Sequence, residues 1–462
     1  MTTTSQQWIH MVGIAGAGMS GIATVLVDQG FKVSGSDLQN GSSTKKLKEL
    51  GIEVFNGHSS SNLKEGVDLL VISSAIPQDN VELELARKRE IPVLKRGQML
   101  ANLINIKKGI AIAGAHGKTT TTSMIYTVLS NCGLDPSFIV GGELQGSQLN
   151  ARTGESDLFI AEADESDASF LDIKPYIAVV TNIEDDHLDY YKSFDNIKNA
   201  FKQFVDGVSP EGFALLCGED NCNQAIRNQT QGKVILYGED SSNDYCLKNW
   251  QSTGLGSVFA VFRRNEYLGD IELSVPGKHN ALNALAAVAL GLEMALDFKE
   301  IKEAIKRFSG TKRRFEILGK RGRITVVDDY AHHPTEIAAT INAAKYYHDG
   351  RILVIFQPHR YSRTKIMGRE LGKALAEADS LVVTEVYAAG EKNIPGISGK
   401  LVFEAAKNAN VNTEYIPVID DIAEYLIENV QENDLIITMG AGDIWKLGSV
   451  ILERLPESDP EL

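Results

Sequence analysis

The sequence predicts an α/β chain of three pieces, and three observations carry that reading. Short apolar runs alternate with helical stretches along nearly the whole chain. Two of those runs open into glycine turns that lead into helices. A fresh alternating pattern then begins near residue 324. At 462 residues the chain is also too long for one ordinary core.

The runs of the first kind are "WIHMVGI" (8–14), "DLLVIS" (68–73), "GIAIAG" (109–114), "DLFIAEA" (157–163) and "YIAVVTN" (176–182). Further along come "ITVVDD" (324–329), "RILVIFQ" (351–357), "SLVVTEV" (380–386) and "DLIITMG" (434–440). Strands this apolar are normally covered on both faces, the mark of parallel sheets flanked by helices. Polar, basic segments near "NLINIKKG" and "FSGTKRR" separate the strong patterns, which predicts boundaries near 106 and 310.

Composition narrows the function. A formal charge of −15 argues against wrapping a nucleic-acid backbone, although small anionic ligands remain possible where local cations offset the field. No apolar run is long enough to cross a bilayer. The start "MTTTSQQW" lacks the basic and apolar regions of a signal peptide, so a cytoplasmic chain without membrane partners is expected. Cys132, Cys217, Cys222 and Cys246 show no Cys-x-x-Cys spacing and read as free thiols.

The first piece carries "MVGIAGAGMSGIATVLVDQGFKVSGSD": a strand, Gly16-x-Gly18-x-x-Gly21, a helix ending at Gly30, and a second strand ending at Asp37. Such glycines let a backbone approach a diphosphate at a helix N-terminus, with an acid near the ribose. The pattern reads a ribose and a diphosphate, which a nicotinamide dinucleotide and a UDP-sugar share. It leaves open which nucleotide binds.

The second piece carries "GIAIAGAHGKTTTTSMIYTVLSNCG". Counting back from Gly117, Ile112 stands where the usual phosphate loop has its first glycine. The mechanical parts are nevertheless present. A strand feeds a glycine turn and a helix N-terminus, whose N–H groups and dipole attract an anion. Lys118 can reach outer phosphates, and the Thr119 hydroxyl can ligate Mg²⁺. Acids then cluster at the next strand ends: Glu162, Asp164, Glu165 and Asp167, followed by Glu184, Asp185, Asp186, His187 and Asp189. Acids at strand ends are commonly solvated, but ligand sites in open α/β sheets lie at those ends. Hard oxygen donors without cysteine favour Mg²⁺ over zinc.

The third piece places Asp328, Asp329, His332 and His333 at one strand end, and His359, Arg360 and Arg363 at another. Arginines there suit a carboxylate or phosphate.

Taken together, "GIAGAGMSGIA", "SSAIP", "GAHGKTTT", "EADESD", "NIEDDHLDYY", "PGKHNALNA", "TKRRFE", "DDYAHHPTE", "FQPHRYSRT" and "EVYAAGE" follow one another in an order that resembles the Mur ligases over nearly the whole length. The resemblance implies an N-terminal Rossmann-like domain for a UDP-sugar (1–106), a central P-loop ATPase domain with a parallel sheet (107–310) and a C-terminal Rossmann-like domain (311–462) that completes the ATP and amino-acid sites. It resolves the open nucleotide toward a UDP-sugar and identifies the short loop as Gly114-Ala115-His116-Gly117-Lys118-Thr119, with Ala115 where threonine is usual.

By the same resemblance, Gly16, Gly18, Ser20, Asp37, Ser73 and Ser74 serve the sugar nucleotide. The loop with Thr120, His279, Asn280 and Asn283 serves ATP. Thr119, Glu162 and His187 hold Mg²⁺. Lys118, His187, Arg314, His332, His359 and Arg360 carry catalysis, the last three near the amino acid. The implied reaction joins L-alanine to the lactyl carboxylate of UDP-N-acetylmuramate through an acyl phosphate, with ATP as co-substrate. The alternative within the family attaches a tripeptide to the same sugar. Small molecules are the expected partners, and the expected assembly is a monomer or weak homodimer.

Overall fold

The computed structural model describes residues 7–145, 149–409 and 412–455. It divides into two compact units. One comprises residues 1–248, 260–270 and 282–307, and the other 249–259, 271–281 and 308–462.

The first unit begins with a five-stranded parallel sheet of β1 (Trp8–Val12), β2 (Lys32–Asp37), β3 (Glu53–Asn56), β4 (Leu69–Ile72) and β5 (Val93–Lys95), in the order β3-β2-β1-β4-β5. The order reverses between β1 and β4, the place where open sheets leave a crevice for a ligand. Val12 lies opposite Ile72 there, so the glycine turn after β1 and Ser73 after β4 emerge side by side. The turn needs its first glycine: Gly13 has φ +79°, and a Cβ on it would stand 2.9 Å from the Ser73 Cβ.

Seven strands of a second sheet follow in the same unit: β6 (Lys108–Ala113), β7 (Ser137–Ile139), β8 (Ala151–Arg152), β9 (Leu158–Glu162), β10 (Ile177–Val180), β11 (Phe213–Cys217) and β12 (Val234–Gly238). They run in the order β12-β11-β10-β6-β9-β7-β8, all pairs parallel except β7–β8. Ile110–Ala113 and Ile177–Val180 are fully buried, as the continuous apolar runs predict. The helix Lys118–Asn131 covers β6 with Met124, Ile125, Val128 and Leu129, all fully buried, and the chain leaves it through Gly133 at φ +82°. Three further strands, β13 (Tyr245–Ser252), β14 (Ser257–Arg263) and β15 (Glu266–Leu273), lead to the helix Lys278–Glu293.

The second unit holds a six-stranded sheet of β16 (Glu316–Arg321), β17 (Ile324–Asp329), β18 (Ile352–Phe356), β19 (Ser380–Val383), β20 (Asn412–Tyr415) and β21 (Leu435–Met439). Its order is β16-β17-β21-β18-β19-β20, parallel except for the β16–β17 edge pair. Every strand expected from the apolar runs is present in the three sheets, and all four cysteines are free.

Candidate active site

The second glycine loop is built at the carboxyl end of β6, flanked by β10 and β9. Gly114 has φ +137°, and a Cβ there would lie 2.1 Å from Thr181 Oγ1, so the turn admits no side chain. Gly117, in the left-handed conformation at φ +81°, begins the helix, and a Cβ on it would stand 2.9 Å from Asn283 Oδ1. The strand end after β10 clamps this loop. Ala115 N–H donates to the Asn182 carbonyl at 3.1 Å and His116 N–H to Asn182 Oδ1 at 2.8 Å. Thr181 Oγ1 and Asn182 Nδ2 both donate to the His116 carbonyl, at 2.6 and 3.1 Å. Two of the N–H groups that sequence would offer to a phosphate are therefore already engaged. Those of Lys118, Thr119 and Thr120, at the first turn of the helix, have no intrahelical partner.

Lys118 is the centre of the charge arrangement. Its Nζ donates to Glu165 Oε1 at 2.8 Å and to the Gly114 carbonyl. Burial works against its charge, but the neighbouring Glu165 carboxylate, with Asp164 and Glu162 beyond it, outweighs burial and raises the lysine above its ordinary range. Glu165 is buried, its Oε2 has no hydrogen-bond partner among the described residues, and its backbone carbonyl accepts from the Tyr191 hydroxyl at 2.7 Å. His187, at φ +61° in the turn past β10, has Nε2 3.9 Å from Glu165 Oε1 and 3.6 Å from Asp186 Oδ2. Glu162 at the end of β9 accepts from Gly141 N–H at 2.6 Å. Thr119, Glu162 and His187 thus stand at the ends of three neighbouring structural tracks, with Glu165 reaching both Lys118 and His187.

The residues that the sequence resemblance assigns to the sugar nucleotide lie around the other glycine loop. Asp37 accepts from Ala15 N–H at 2.8 Å and Gln39 N–H at 2.9 Å, so it also shapes the turn it ends. The helix Ala17–Asp28 begins after Gly16 without a side-chain cap, leaving its first N–H groups open. Ser20 is buried, and its hydroxyl donates to the Ala17 carbonyl at 3.0 Å and accepts from Asn150 Nδ2 at 3.1 Å. Both roles of the hydroxyl are thus already taken within the fold. Ser73 is half-buried and Ser74 exposed beyond β4. One cavity of about 310 Å³ is lined by Gly16, Gly18, Ser73 and Arg96 together with Lys118, Glu162 and Asp164.

In the second unit, strand ends again gather polar groups. Asp329 accepts from Ala331 and Phe315 N–H, both at 2.8 Å, and burial lifts it to about 6. Asp328 is taken by Arg313 Nε at 2.9 Å and by the Thr438 hydroxyl at 2.7 Å. Both acids therefore build the turn. Arg313 Nη2 also donates to the Gly440 carbonyl at 2.6 Å, whereas Arg314 reaches Glu336 at 3.5 Å and stands over the Tyr330 ring at 5.2 Å. His333 caps the helix Pro334–Tyr347 through Thr335 N–H.

His332 and His359 come together, with ring centroids 6.1 Å apart, and His359 stacks on Tyr387 at 5.7 Å. Burial, reinforced by arginines, pulls His332 to about 4, and burial with His332 and Arg360 pulls His359 to about 3. Both rings are neutral near pH 7. Arg360 is exposed and starts the next helix at φ +67°. His279 is exposed, whereas Asn280 is buried and donates to the Pro276 carbonyl at 2.7 Å. Neither Arg96 nor Asn182 is assigned a role by the sequence. Asn182 opens the motif "NIEDDHLDYY", whose acidic cluster draws attention away from it, and Arg96 lies in no motif.

Comparison with known proteins gives this arrangement its family. Three family models match in succession: "Mur ligase family, catalytic domain" over residues 8–108, "Mur ligase middle domain" over 112–291, and "Mur ligase, glutamate ligase domain" over 313–442. The chain is 64% identical over 461 residues to the UDP-N-acetylmuramate–L-alanine ligase of Syntrophomonas wolfei subsp. wolfei, covering 99% of both chains. The chain belongs to the Mur ligase family. A second relative of the same name, from Carboxydothermus hydrogenoformans, is 46% identical over 96% of each chain.

Among solved Mur ligase structures, UDP-N-acetylmuramate-alanine ligase of Thermotoga maritima superposes with a TM-score of 0.85 at 30% identity, over 97% of this chain and 99% of that one. A murein peptide ligase of Psychrobacter arcticus shares the fold, with a TM-score of 0.74 at 24% identity over 97% and 98%. No helix among the described residues is long and apolar enough to cross a membrane.

Proposed function

We infer that this Mur ligase joins L-alanine to the lactyl carboxylate of UDP-N-acetylmuramate using ATP, in the synthesis of peptidoglycan precursors. The observation that carries the reading is the single cavity shared by the Gly16–Gly18 loop and Lys118. A sugar nucleotide whose diphosphate rests on the first loop can extend toward the loop that takes the ATP phosphates. The names of the full-length relatives supply the sugar and the amino acid.

In the proposed mechanism, the sugar carboxylate attacks the γ-phosphate to give an acyl phosphate and ADP. The alanine amine then displaces inorganic phosphate. Carboxylate and triphosphate repel one another, so Lys118 and Arg314 are assigned to offset the charge that develops between them. Lys118 is suited to this because Glu165 and the Gly114 carbonyl hold it charged and at the loop before any ligand arrives. The remaining N–H groups of Lys118, Thr119 and Thr120 receive phosphate, Asn283 packs against Gly117, and His279 and Asn280 are assigned to the adenine side.

Thr119, Glu162 and His187 would hold Mg²⁺. Hard oxygens with one imidazole fit that ion, and the unpartnered buried Glu165 Oε2 beside them favours a cation. When bound, the ion supplies further charge neutralisation at the phosphates. His332, His359 and Arg360 are assigned to L-alanine. Two neutral imidazoles can accept hydrogen bonds from its ammonium, and the exposed guanidinium can pair with its carboxylate. The division at about 106 and 310, a cytoplasmic location and a monomer or weak homodimer belong to the same proposal.

The test is phosphate release from Mg·ATP with UDP-N-acetylmuramate, with and without L-alanine, beside glycine, L-serine and a peptidoglycan tripeptide. Release that requires both the sugar nucleotide and L-alanine is the expected result. Release with the tripeptide alone would move the chain to peptide recycling, and no release with any acceptor would overturn the ligase reading.

A further inference from the structure

Arg96 belongs to no motif, yet it lines the shared cavity. It opens the helix Arg96–Ile104 directly after β5, on the ligand-binding edge of the first sheet. Its Nη2 pairs with Asp164, which follows β9 in the second sheet. A Cβ built on Gly18 would stand 3.0 Å from Arg96 Nη1 and 3.3 Å from its Cδ. The guanidinium therefore lies close against the backbone at Gly18, where a methyl would push it aside by a few tenths of an ångström. Its side chain is 21% exposed, and its Nη1 and Nε have no partner among the described residues.

Charge sharpens the point. Among the residues lining the cavity, Arg96 and Lys118 are the cations, while Glu162 and Asp164 make the wall between them acidic. Lys118 stands on the loop that receives ATP. A diphosphate entering a chain of net charge −15 then finds only the partial positive charge of the helix Ala17–Asp28, about half a unit, unless Arg96 joins it.

We propose that Arg96 binds the diphosphate of the sugar nucleotide with its open guanidinium edge, and that Asp164 is the positioning residue holding the guanidinium over the glycine loop. The proposal deepens the ligase reading and rests on it. Asp164 suits the role. Its Oδ2 pairs with Arg96 while its Oδ1 accepts from Ser166 N–H at 3.0 Å, which fixes the carboxylate. A planar guanidinium with two free donors can bridge two phosphate oxygens, which an ammonium cannot. Adjacent acids thus set the two substrate cations, Asp164 holding Arg96 and Glu165 holding Lys118.

Titration calorimetry of the full chain with UDP-N-acetylmuramate in the absence of ATP, together with KM for each substrate, tests this. Arg96→Ala is expected to weaken sugar-nucleotide binding by roughly 10- to 100-fold, raising its KM while leaving ATP affinity unchanged. Arg96→Lys recovers only part, and Asp164→Asn gives a smaller loss of the same kind. Because Arg96→Ala strands a carboxylate, Arg96→Ala/Asp164→Asn is measured beside it, and it too binds the sugar nucleotide weakly. A double variant that binds like the wild type overturns the proposal, since the pair would then be only a structural ion pair. Equal losses for ATP and the sugar nucleotide also overturn it. A wild-type chain that binds ATP but no UDP-N-acetylmuramate fails earlier and overturns the ligase reading itself.

Discussion

The first unit contains the same device twice, and the two copies differ in where the cation comes from. After β1 and after β6 a buried parallel strand opens through a glycine turn into a helix N-terminus. At the second turn the cation is Lys118, the first residue of the helix itself, so loop and charge arrive together. At the first turn the helix begins with Ala17, and the nearby cation, Arg96, comes from the far end of the same sheet. Each cation is held by an acid from the segment that follows β9. A loop with its own lysine is complete as a local motif. A loop that borrows its cation is complete only in the fold.

The largest expected effect comes from removing the built-in cation. Lys118→Ala should lower turnover by at least about 100-fold while leaving UDP-N-acetylmuramate binding intact, as calorimetry beside steady-state rates would read. The same change strands Glu165, which is 4% exposed, at a cost of about 3 kcal/mol in unfolding free energy. Adding Glu165→Gln should restore most of the stability and none of the turnover. If the double variant regains turnover, Lys118 serves the fold rather than the phosphates.

Next in size is the turn. Gly114→Ala places a methyl 2.1 Å from Thr181 Oγ1 at φ +137°. Strain and overpacking together should cost roughly 3 kcal/mol, and displacement of the Asn182 clamp should weaken ATP binding. Denaturant unfolding and nucleotide titration read the two effects separately. A variant that keeps wild-type stability would show that the loop relaxes freely and that Asn182 does not hold it.

The contrast explains what was legible in the sequence. Strands such as "GIAIAG" and "YIAVVTN" declare themselves because a parallel strand covered on both faces must be apolar throughout, and the structure places both at the centre of a sheet. Lys118 declares itself because its neighbours in sequence are its neighbours in space. Arg96 does not, because its meeting with Gly18 and Asp164 depends on strand order and not on spacing. Asp328 and Asp329 mislead in the opposite sense: acids at a strand end suggest a ligand, yet their oxygens are taken by Arg313, Thr438 and two backbone N–H groups. Local sequence shows residue type and position, while the satisfaction of a side chain is a tertiary property.

The second unit offers a strand-end site without either glycine device, and its pH response should differ accordingly. His332 and His359 lie at about 4 and about 3 in the folded chain, below the ordinary value near 6.5. Between those values the unfolded chain binds more protons than the folded one. Stability is therefore full above about pH 6.5 and is lost as the pH falls, by up to about 1.4 kcal/mol for each ring per pH step of one. His332→Gln should flatten the decline between pH 6.5 and 4 in chemical unfolding. An unchanged slope would mean that the His332 ring takes up its proton in the fold.

The smallest effect is the most selective probe of the borrowed cation. Gly18 lies at the start of a helix with no positive φ, and the atoms a methyl would meet belong to the flexible Arg96 side chain at 3.0 and 3.3 Å. Gly18→Ala should therefore leave stability unchanged or raise it by up to about 1 kcal/mol, since alanine is the better helix former. The guanidinium must nevertheless move aside by a few tenths of an ångström. If Arg96 reads the diphosphate, sugar-nucleotide affinity falls several-fold while ATP affinity holds, so stability and binding change independently. At Gly114 the two fall together. A Gly18→Ala chain that binds UDP-N-acetylmuramate as tightly as the wild type would show that this loop works through its backbone alone, and the comparison between the two turns would then reduce to the presence or absence of Lys118.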